Sequence, residues 1–162
     1  LMVFARSRKA AALLSEQVRE RQFSKGYLAV VHGVPQPPAG QLRDLLGRDS
    51  VRRVTYVADT PSAETREALL DYETLDSGGG LSLVRVRLHT GRTHQIRVQF
   101  ASRGMPLWGD RKYGLPEDDA FPLALWACQL SFTHPQTGKK MAFTSLPPAI
   151  DPWTRFERLM ET

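Results

Sequence analysis

The 162-residue sequence predicts an α+β fold: a mixed, largely antiparallel sheet with two principal helices. Three observations predict it. Short runs rich in β-branched, aromatic and Leu residues recur between breaks that contain Pro or Gly. Only two long segments, 8–22 and 93–103, carry apolar residues at helical spacing. The short turns at 77–80 and 134–138 join strand-like runs as hairpins, which favours antiparallel pairing.

Taken in order, Leu1 to Ala5 is an apolar run that reads as a buried strand. Ser7 is placed to cap a helix over Arg8 to Gln22, with Leu13, Leu14 and Val18 on one side. Tyr27 to His32 is rich in β-formers and is closed by Gly33. Residues 34–40 hold three prolines and read as a loop. Arg52 to Ala58 and Glu67 to Leu75 read as strands. After the turn at Ser77 to Gly80, Leu81 to Leu88 alternates cleanly, with Leu81, Leu83 and Arg85 on one face and Val84, Val86 and Leu88 on the other. Gly91 breaks that strand. From Thr93 to Arg103 the spacing becomes helical, with Ile96 and Phe100 four apart and Gly104 as the stop. Residues 105–116 form a loop. Leu123 to Thr133, a turn at His134 to Gly138, and Lys139 to Thr144 make a hairpin that Pro147 and Pro148 end. Asp151 can cap a last helix through Met160.

Composition bounds the class. With 41% hydrophobic and 24% charged residues the chain is globular, and residues 1–162 read as a single domain. A chain of roughly 150 residues buries about 70% of its unfolded surface, so its core needs neither a disulfide nor a metal. No stretch approaches the ~20 apolar residues of a membrane span. One cysteine, Cys128, excludes an internal disulfide and a Cys-based metal cluster, and fits a reducing compartment such as the cytoplasm. The four histidines show no metal spacing, and no signal peptide is visible. The chain opens on Leu1 rather than Met, inside an apolar run, so a preceding segment is expected.

The charge is unevenly spread. Residues 1–53 hold ten basic and four acidic side chains, net +6; residues 54–84 hold one and six, net −5. Residues 85–112 hold seven basic and one acidic, net +6; residues 113–162 hold four and six, net −2. If the fold joins the two basic blocks, they make a positive face suited to a phosphate backbone; otherwise they are solvated surface.

The most informative segment is LHTGRTHQIRV at 88–98, where a strand ends, Gly91 turns the chain and a helix begins. Such junctions aim backbone N–H groups and first-turn side chains into a cleft. Arg92, His94, Gln95 and Arg97 crowd this turn, and no acidic residue follows before Asp110. A half-buried Arg here needs an acidic or phosphate partner. A capped helix with an exposed basic face fits the spacing equally well.

The run TGRTHQIRV (90–98), followed by GMPLWGDRKYG (104–114), strongly resembles the RluA-like family of RNA pseudouridine synthases. SKGYLAVVHG (24–33) resembles that family's second motif, and LALWACQLSFTHPQTGKKMAFTSLPP (123–148) its C-terminal hairpin. The helix at 6–22 fits as well, so the resemblance covers nearly the whole chain.

The resemblance implies the pseudouridine synthase catalytic fold, incomplete at its N-terminus. It implies isomerisation of specific uridines in structured RNA, ribosomal or transfer, without metal or organic cofactor, by a protein expected to be a monomer and not to bind membranes. The C1′–N1 bond breaks and the base rejoins through C5. Arg97 matches the family Arg that pairs with an essential Asp, and Tyr27 matches the Tyr that lies against the target base. Lys25, Arg92, His94, Gln95 and Ile96 are the corresponding substrate-binding or scaffolding positions. The essential Asp belongs to an H-R-L-D motif that would fall just ahead of Leu1. No such string occurs in the sequence, so these 162 residues are expected to be inactive by themselves. They also leave no room for the small RNA-binding domain that many relatives carry ahead of the core.

Two positions depart from the family pattern: Gln99 stands where His is common, and Trp126 interrupts a common L-H-A triplet. Both are structural or RNA-facing positions, which bears on the choice of RNA more than on the chemistry. Asp110 reads as a structural turn residue near the site, Tyr113 as core with RNA contact as the alternative, His134 as a turn residue and Cys128 as a packed thiol. Gly78 to Gly80 lacks the Lys-Ser/Thr of a phosphate loop. The alternative function is a non-enzymatic RNA-binding module or assembly factor on the same fold, or a protein-interaction domain that reuses it.

Overall fold

The structure is a computed structural model that describes residues 1–156. A seven-stranded sheet is built from β1 (Ser24–His32), β2 (Ala39–Asp49), β3 (Val54–Ala58), β4 (Arg66–Gly78), β5 (Leu81–Leu88), β6 (Leu125–Thr133) and β7 (Lys140–Thr144). Its order is β3-β2-β4-β5-β1-β6-β7, and each neighbouring pair is antiparallel. Helices α1 (Arg8–Arg19) and α2 (Gln95–Ala101) complete the α+β fold that the sequence predicts.

The β4–β5 hairpin shows why the sequence folds this way. Gly78 pairs with Leu81 across a two-residue turn, and Gly79 and Gly80 both adopt positive φ (60° and 78°). Only such a turn matches the twist of the strands it joins, and glycine adopts it without steric cost. The expected alternation along β5 then separates two cores. Val84 and Val86 join Ala29, Val31, Leu70, Tyr72, Ile96 and Phe100 on one face. Leu81 and Leu83 join Leu28, Val30, Trp153 and Phe156 on the other. The central strands β1 and β5 are thus covered on both faces.

Ser7 caps α1 by accepting the Ala10 N–H at 3.2 Å. Leu14 packs on Leu130 and Phe132, and the Gln17 amide exchanges two hydrogen bonds with the Thr133 backbone, at 2.8 and 2.7 Å. This holds α1 on β6. The helix stops at Arg19, short of the expected Gln22, because Arg21 turns the chain at φ 60°. Val18, expected on the apolar side, is 55% exposed.

Three further expectations are corrected. Leu1 to Ala5 is not a buried strand: Met2 and Phe4 are largely exposed, and among the described residues the Leu1 amino group donating to Ala127 O at 3.0 Å is its only backbone tie. Apolarity alone supplied no ladder partner. An eleven-residue strand, β2, starts inside the expected loop and extends through residues for which the pattern gave no element. Asp151 does not cap a helix; its carboxylate binds Arg155 beside a single 3-10 turn at Trp153–Arg155. The rest of that expected helix, residues 157–160, lies outside the described residues. Helix α2 is shorter than 93–103, and Gly104 ends it as expected, at φ 72° with its N–H on Ala101 O.

Candidate active site

The site lies where β5 runs into α2. Ile96 and Phe100 anchor α2 on the face that carries Ala29 and Val86. Leu107 and Leu123, from the long segment between α2 and β6, pack there too, as does the Tyr27 ring. Between β5 and α2 the chain turns tightly around one side chain. The Thr90 hydroxyl accepts the Leu69 N–H at 2.8 Å and donates to Gln95 Oε1 at 2.9 Å, and the same oxygen accepts the Arg92 N–H at 3.0 Å. His94 then adopts φ 54°, a left-handed conformation that a non-glycine residue holds only when its surroundings enforce it.

This turn and the end of β1 wall a cleft of about 450 Å³ lined by Arg21, Lys25, Tyr27, Arg87, His89 and Arg92, among others. Tyr27 is half-buried, burial pushes its phenol pKa up, and its hydroxyl bonds no described residue. His89 meets the Asp71 carboxylate at 2.5 Å. Asp71 is held below the usual carboxylate range, first by a hydrogen bond from Gln41 and then by His89. The cleft therefore offers an aromatic wall, an unengaged phenol and several cations.

Arg97 lines a neighbouring hollow with Asp110 and Leu123. Its guanidinium lies side-on to Asp110, with Nε to Oδ2 at 2.8 Å and Nη2 to Oδ1 at 2.6 Å. The acidic partner that a half-buried Arg needs is thus supplied within the chain, though not locally. The partner is Asp110, thirteen residues on, brought in by the turn at Gly109. Asp110 Oδ1 also accepts the N–H groups of Lys112 and Tyr113, at 2.9 and 3.1 Å. Burial acts to raise the Asp110 pKa, but the Arg97 bond and these two N–H groups outweigh it and bring it below the ordinary value. The bond to Asp110 in turn raises the Arg97 pKa. Asp110 thus acts as a holder of Arg97, its oxygens fully engaged. Arg97 Nη1 bonds no described residue.

The predicted site residues therefore divide. Lys25, Tyr27 and Arg92 share the cleft. His94 and Arg97 flank Tyr113: His94 Nδ1 is 2.8 Å from its hydroxyl, and the Arg97 guanidinium sits 5.0 Å from its ring centre. Tyr113, expected as core, is half-buried and links the two. Gln95 and Ile96 are buried, at 3% and 4% exposure; here one pins the turn and the other packs beneath the site. Gln99 is also buried and donates to Asp44 at 2.6 Å, while Trp126 donates to Ser145 O at 3.1 Å. Both departures from the family pattern thus have structural roles. Sequence reasoning missed Arg21, Arg87 and His89. The alternation of β5 marks Arg87 and His89 as neighbours on one side, but that they line one cleft with Tyr27 is decided where the end of β5 meets the start of β1. Among the described residues no group of three His, Cys, Asp or Glu side chains could hold a metal ion, and no helix is long and apolar enough to cross a membrane.

An α+β sheet with a phenol-walled, cation-rich cleft defines a class of protein able to stack a base and grip its phosphates. The chain belongs to the RluA-like RNA pseudouridylate synthase family, whose model matches residues 1–102. It is 33% identical over 177 residues to RNA pseudouridine synthase 2, chloroplastic, of Arabidopsis thaliana, covering 92% of this chain and 41% of that one. It is 35% identical over 164 residues to an uncharacterized RNA pseudouridine synthase of Chlorobaculum parvum, covering 90% and 50%. Among solved structures it resembles Human RNA Pseudouridylate Synthase Domain Containing 1, with a TM-score of 0.76, 26% identity, and 91% and 64% of the two chains covered. The chain spans about half the length of the curated relatives it matches.

Proposed function

We propose that the protein isomerises specific uridines in structured RNA, ribosomal or transfer, to pseudouridine, and that this chain carries the body of its catalytic domain. The observation that carries this reading is the Tyr27 ring and its unengaged hydroxyl at the wall of a cleft with Arg21, Lys25, Arg87 and Arg92. The reaction cleaves C1′–N1, joins C1′ to C5, releases the C5 proton and leaves N1 protonated. Tyr27 supplies a stacking face and a group for proton transfer at C5. Arg97, fixed side-on by Asp110, turns its remaining donors to a second carboxylate, the family's essential Asp, and keeps it ionised. Because the 162 residues contain no H-R-L-D string, they are proposed to be inactive by themselves. Lys25 and Arg92 contact the RNA, while Gln95 and Ile96 act by shaping the turn. Extruding the target base costs a few kcal/mol, which stacking and phosphate contacts offset.

The test is tritium release from RNA labelled at uridine C5, using the full-length protein on ribosomal and transfer RNA. Release that is lost in Arg97→Ala supports the proposal. RNA binding with no release from either substrate would replace it with the binding-module reading.

A further inference from the structure

A second cationic cluster lies outside the cleft, at the seam between the β2–β3 hairpin and the entry to α2. Arg43, Arg52, Arg85, Arg103 and Arg155 each meet a carboxylate. Arg48 and Lys112 are exposed, and neither has a carboxylate partner among the described residues. Arg48 reaches the Thr93 hydroxyl at 3.4 Å, and Lys112 Nζ donates to Arg53 O at 2.5 Å. The segments they reach are constrained: Arg53, and His94 next to Thr93, both sit at φ 54°. The two cations are thus drawn to one seam with no carboxylate in contact with either head group among the described residues, although like charges repel.

His94 lies between them. The Tyr113 hydroxyl accepts the Thr55 N–H at 2.8 Å and lies 2.8 Å from His94 Nδ1. The phenol can meet Nδ1 as donor or as acceptor; as donor it leaves the ring proton on Nε2. That nitrogen bonds no described residue. Burial, and then the nearby Arg97, Lys112 and Arg48, lower the His94 pKa and so favour the neutral ring, while the Asp110 carboxylate acts the other way. Two exposed cations without a carboxylate in contact, beside a half-buried imidazole whose Nε2 is unengaged, match the oxygens of a phosphodiester.

We propose that Arg48, His94 and Lys112 form a subsite for one backbone phosphodiester of the RNA strand beside the target nucleotide. The subsite rests on the RNA reading given above. Tyr113 joins it to the candidate site, since the Arg97 guanidinium lies 5.0 Å from the centre of the same ring. A phosphate bound here fixes the strand's register relative to Arg97 without reading its sequence.

The test is the salt dependence of binding between the full-length protein and a fluorescein-labelled structured RNA, followed by anisotropy. Losing one phosphate contact reduces the slope of log affinity against log salt by about 0.7. The double variant Arg48→Gln, Lys112→Gln is expected to show that reduction for RNAs of unrelated sequence. Arg48→Lys, Lys112→Arg is expected to restore the slope, because charge rather than shape is required. Arg85→Gln, on the opposite face of the sheet and paired with Glu73, serves as the control with no change. Circular dichroism melting confirms that each variant is folded. A wild-type slope with the double variant unchanged overturns the subsite and leaves the RNA reading intact. Absence of salt-dependent binding by the wild type overturns both.

Discussion

Arg97 and Asp110 form a two-pronged ion pair, 2.8 and 2.6 Å long, in which the Asp110 side chain is wholly buried and the Arg97 side chain retains 18% exposure. The pair ties α2 to the loop that follows it. It also explains how a guanidinium can be both rigid and available: one edge is spent on Asp110, and the other is free to meet a second oxyanion.

Asp110→Asn is expected to destabilise the protein by roughly 3 kcal/mol, the low end for removing one member of a buried ion pair. The neutral amide keeps one acceptor for the Lys112 and Tyr113 N–H groups but leaves Arg97 uncompensated. Urea denaturation checks this; a midpoint equal to that of the wild type would show that the pair does not hold the loop.

The same pair predicts an acid limb. The folded pKa of Asp110 lies below its unfolded value, so the unfolded chain binds more protons at low pH. Its contribution is complete above about pH 4 and is lost as pH falls through the lowered folded value. The difference in stability between wild type and Asp110→Asn should therefore shrink as the pH falls below 4. A difference that stays constant down to pH 2 would contradict the assignment.

His94 gives a second pH dependence. Its folded pKa is also lowered, by burial first and then by its cationic neighbours. It therefore contributes stability fully above about pH 6.5 and less as pH drops through the folded value. A proton NMR titration of the ring should give a midpoint below that of an exposed histidine. A midpoint above it would mean that the cations are not where the structure places them.

Tyr27→Phe separates chemistry from folding. The hydroxyl bonds no described residue, so stability should change by less than about 0.5 kcal/mol. If the phenol moves a proton in the proposed reaction, tritium release by the full-length protein should fall about 10²–10⁴-fold. Release within twofold of wild type would assign the ring to stacking alone.

Gly109→Ala tests the loop. Gly109 sits at φ 71°, and a Cβ there would lie 2.2 Å from Pro122 O, which is backbone and cannot swing aside. The left-handed conformation alone costs about 1–2 kcal/mol for an alanine. A loss of at least about 2 kcal/mol in thermal or urea unfolding is expected, together with weaker holding of Arg97. Gly78→Ala, where a Cβ meets nothing within 4 Å, is the comparison.

Some elements were legible because local chemistry and tertiary packing agree. The period-2 alternation of Leu81 to Leu88 fixed which residues face each core. Ser7 and Gly104 marked a helix start and a helix end. The segment 88–98 identified the strand-to-helix junction and, by resemblance, the family. β2 was missed because AGQLRDLLGRD is poor in β-formers, and its leucines at 42, 45 and 46 also fit a helix. What makes it a strand is its place between β3 and β4, which supply ladders on both sides. Leu1 to Ala5 failed in the opposite way: its apolar composition named no pairing partner.

By itself, the sequence determined the α+β class, the main periodic elements, the family and the identity of the side chains that crowd one junction. These are properties of neighbouring residues, where spacing and side-chain chemistry act over a few positions. Only the tertiary structure decided that Asp110 holds Arg97, that Arg87 and His89 line one cleft with Tyr27, and that the charges of Arg48 and Lys112 both act on His94. Those encounters join residues from thirteen to more than sixty positions apart. Their geometry depends on sheet register, a glycine turn and buried hydrogen bonds, all set by the packing of the whole chain rather than by any local run of it.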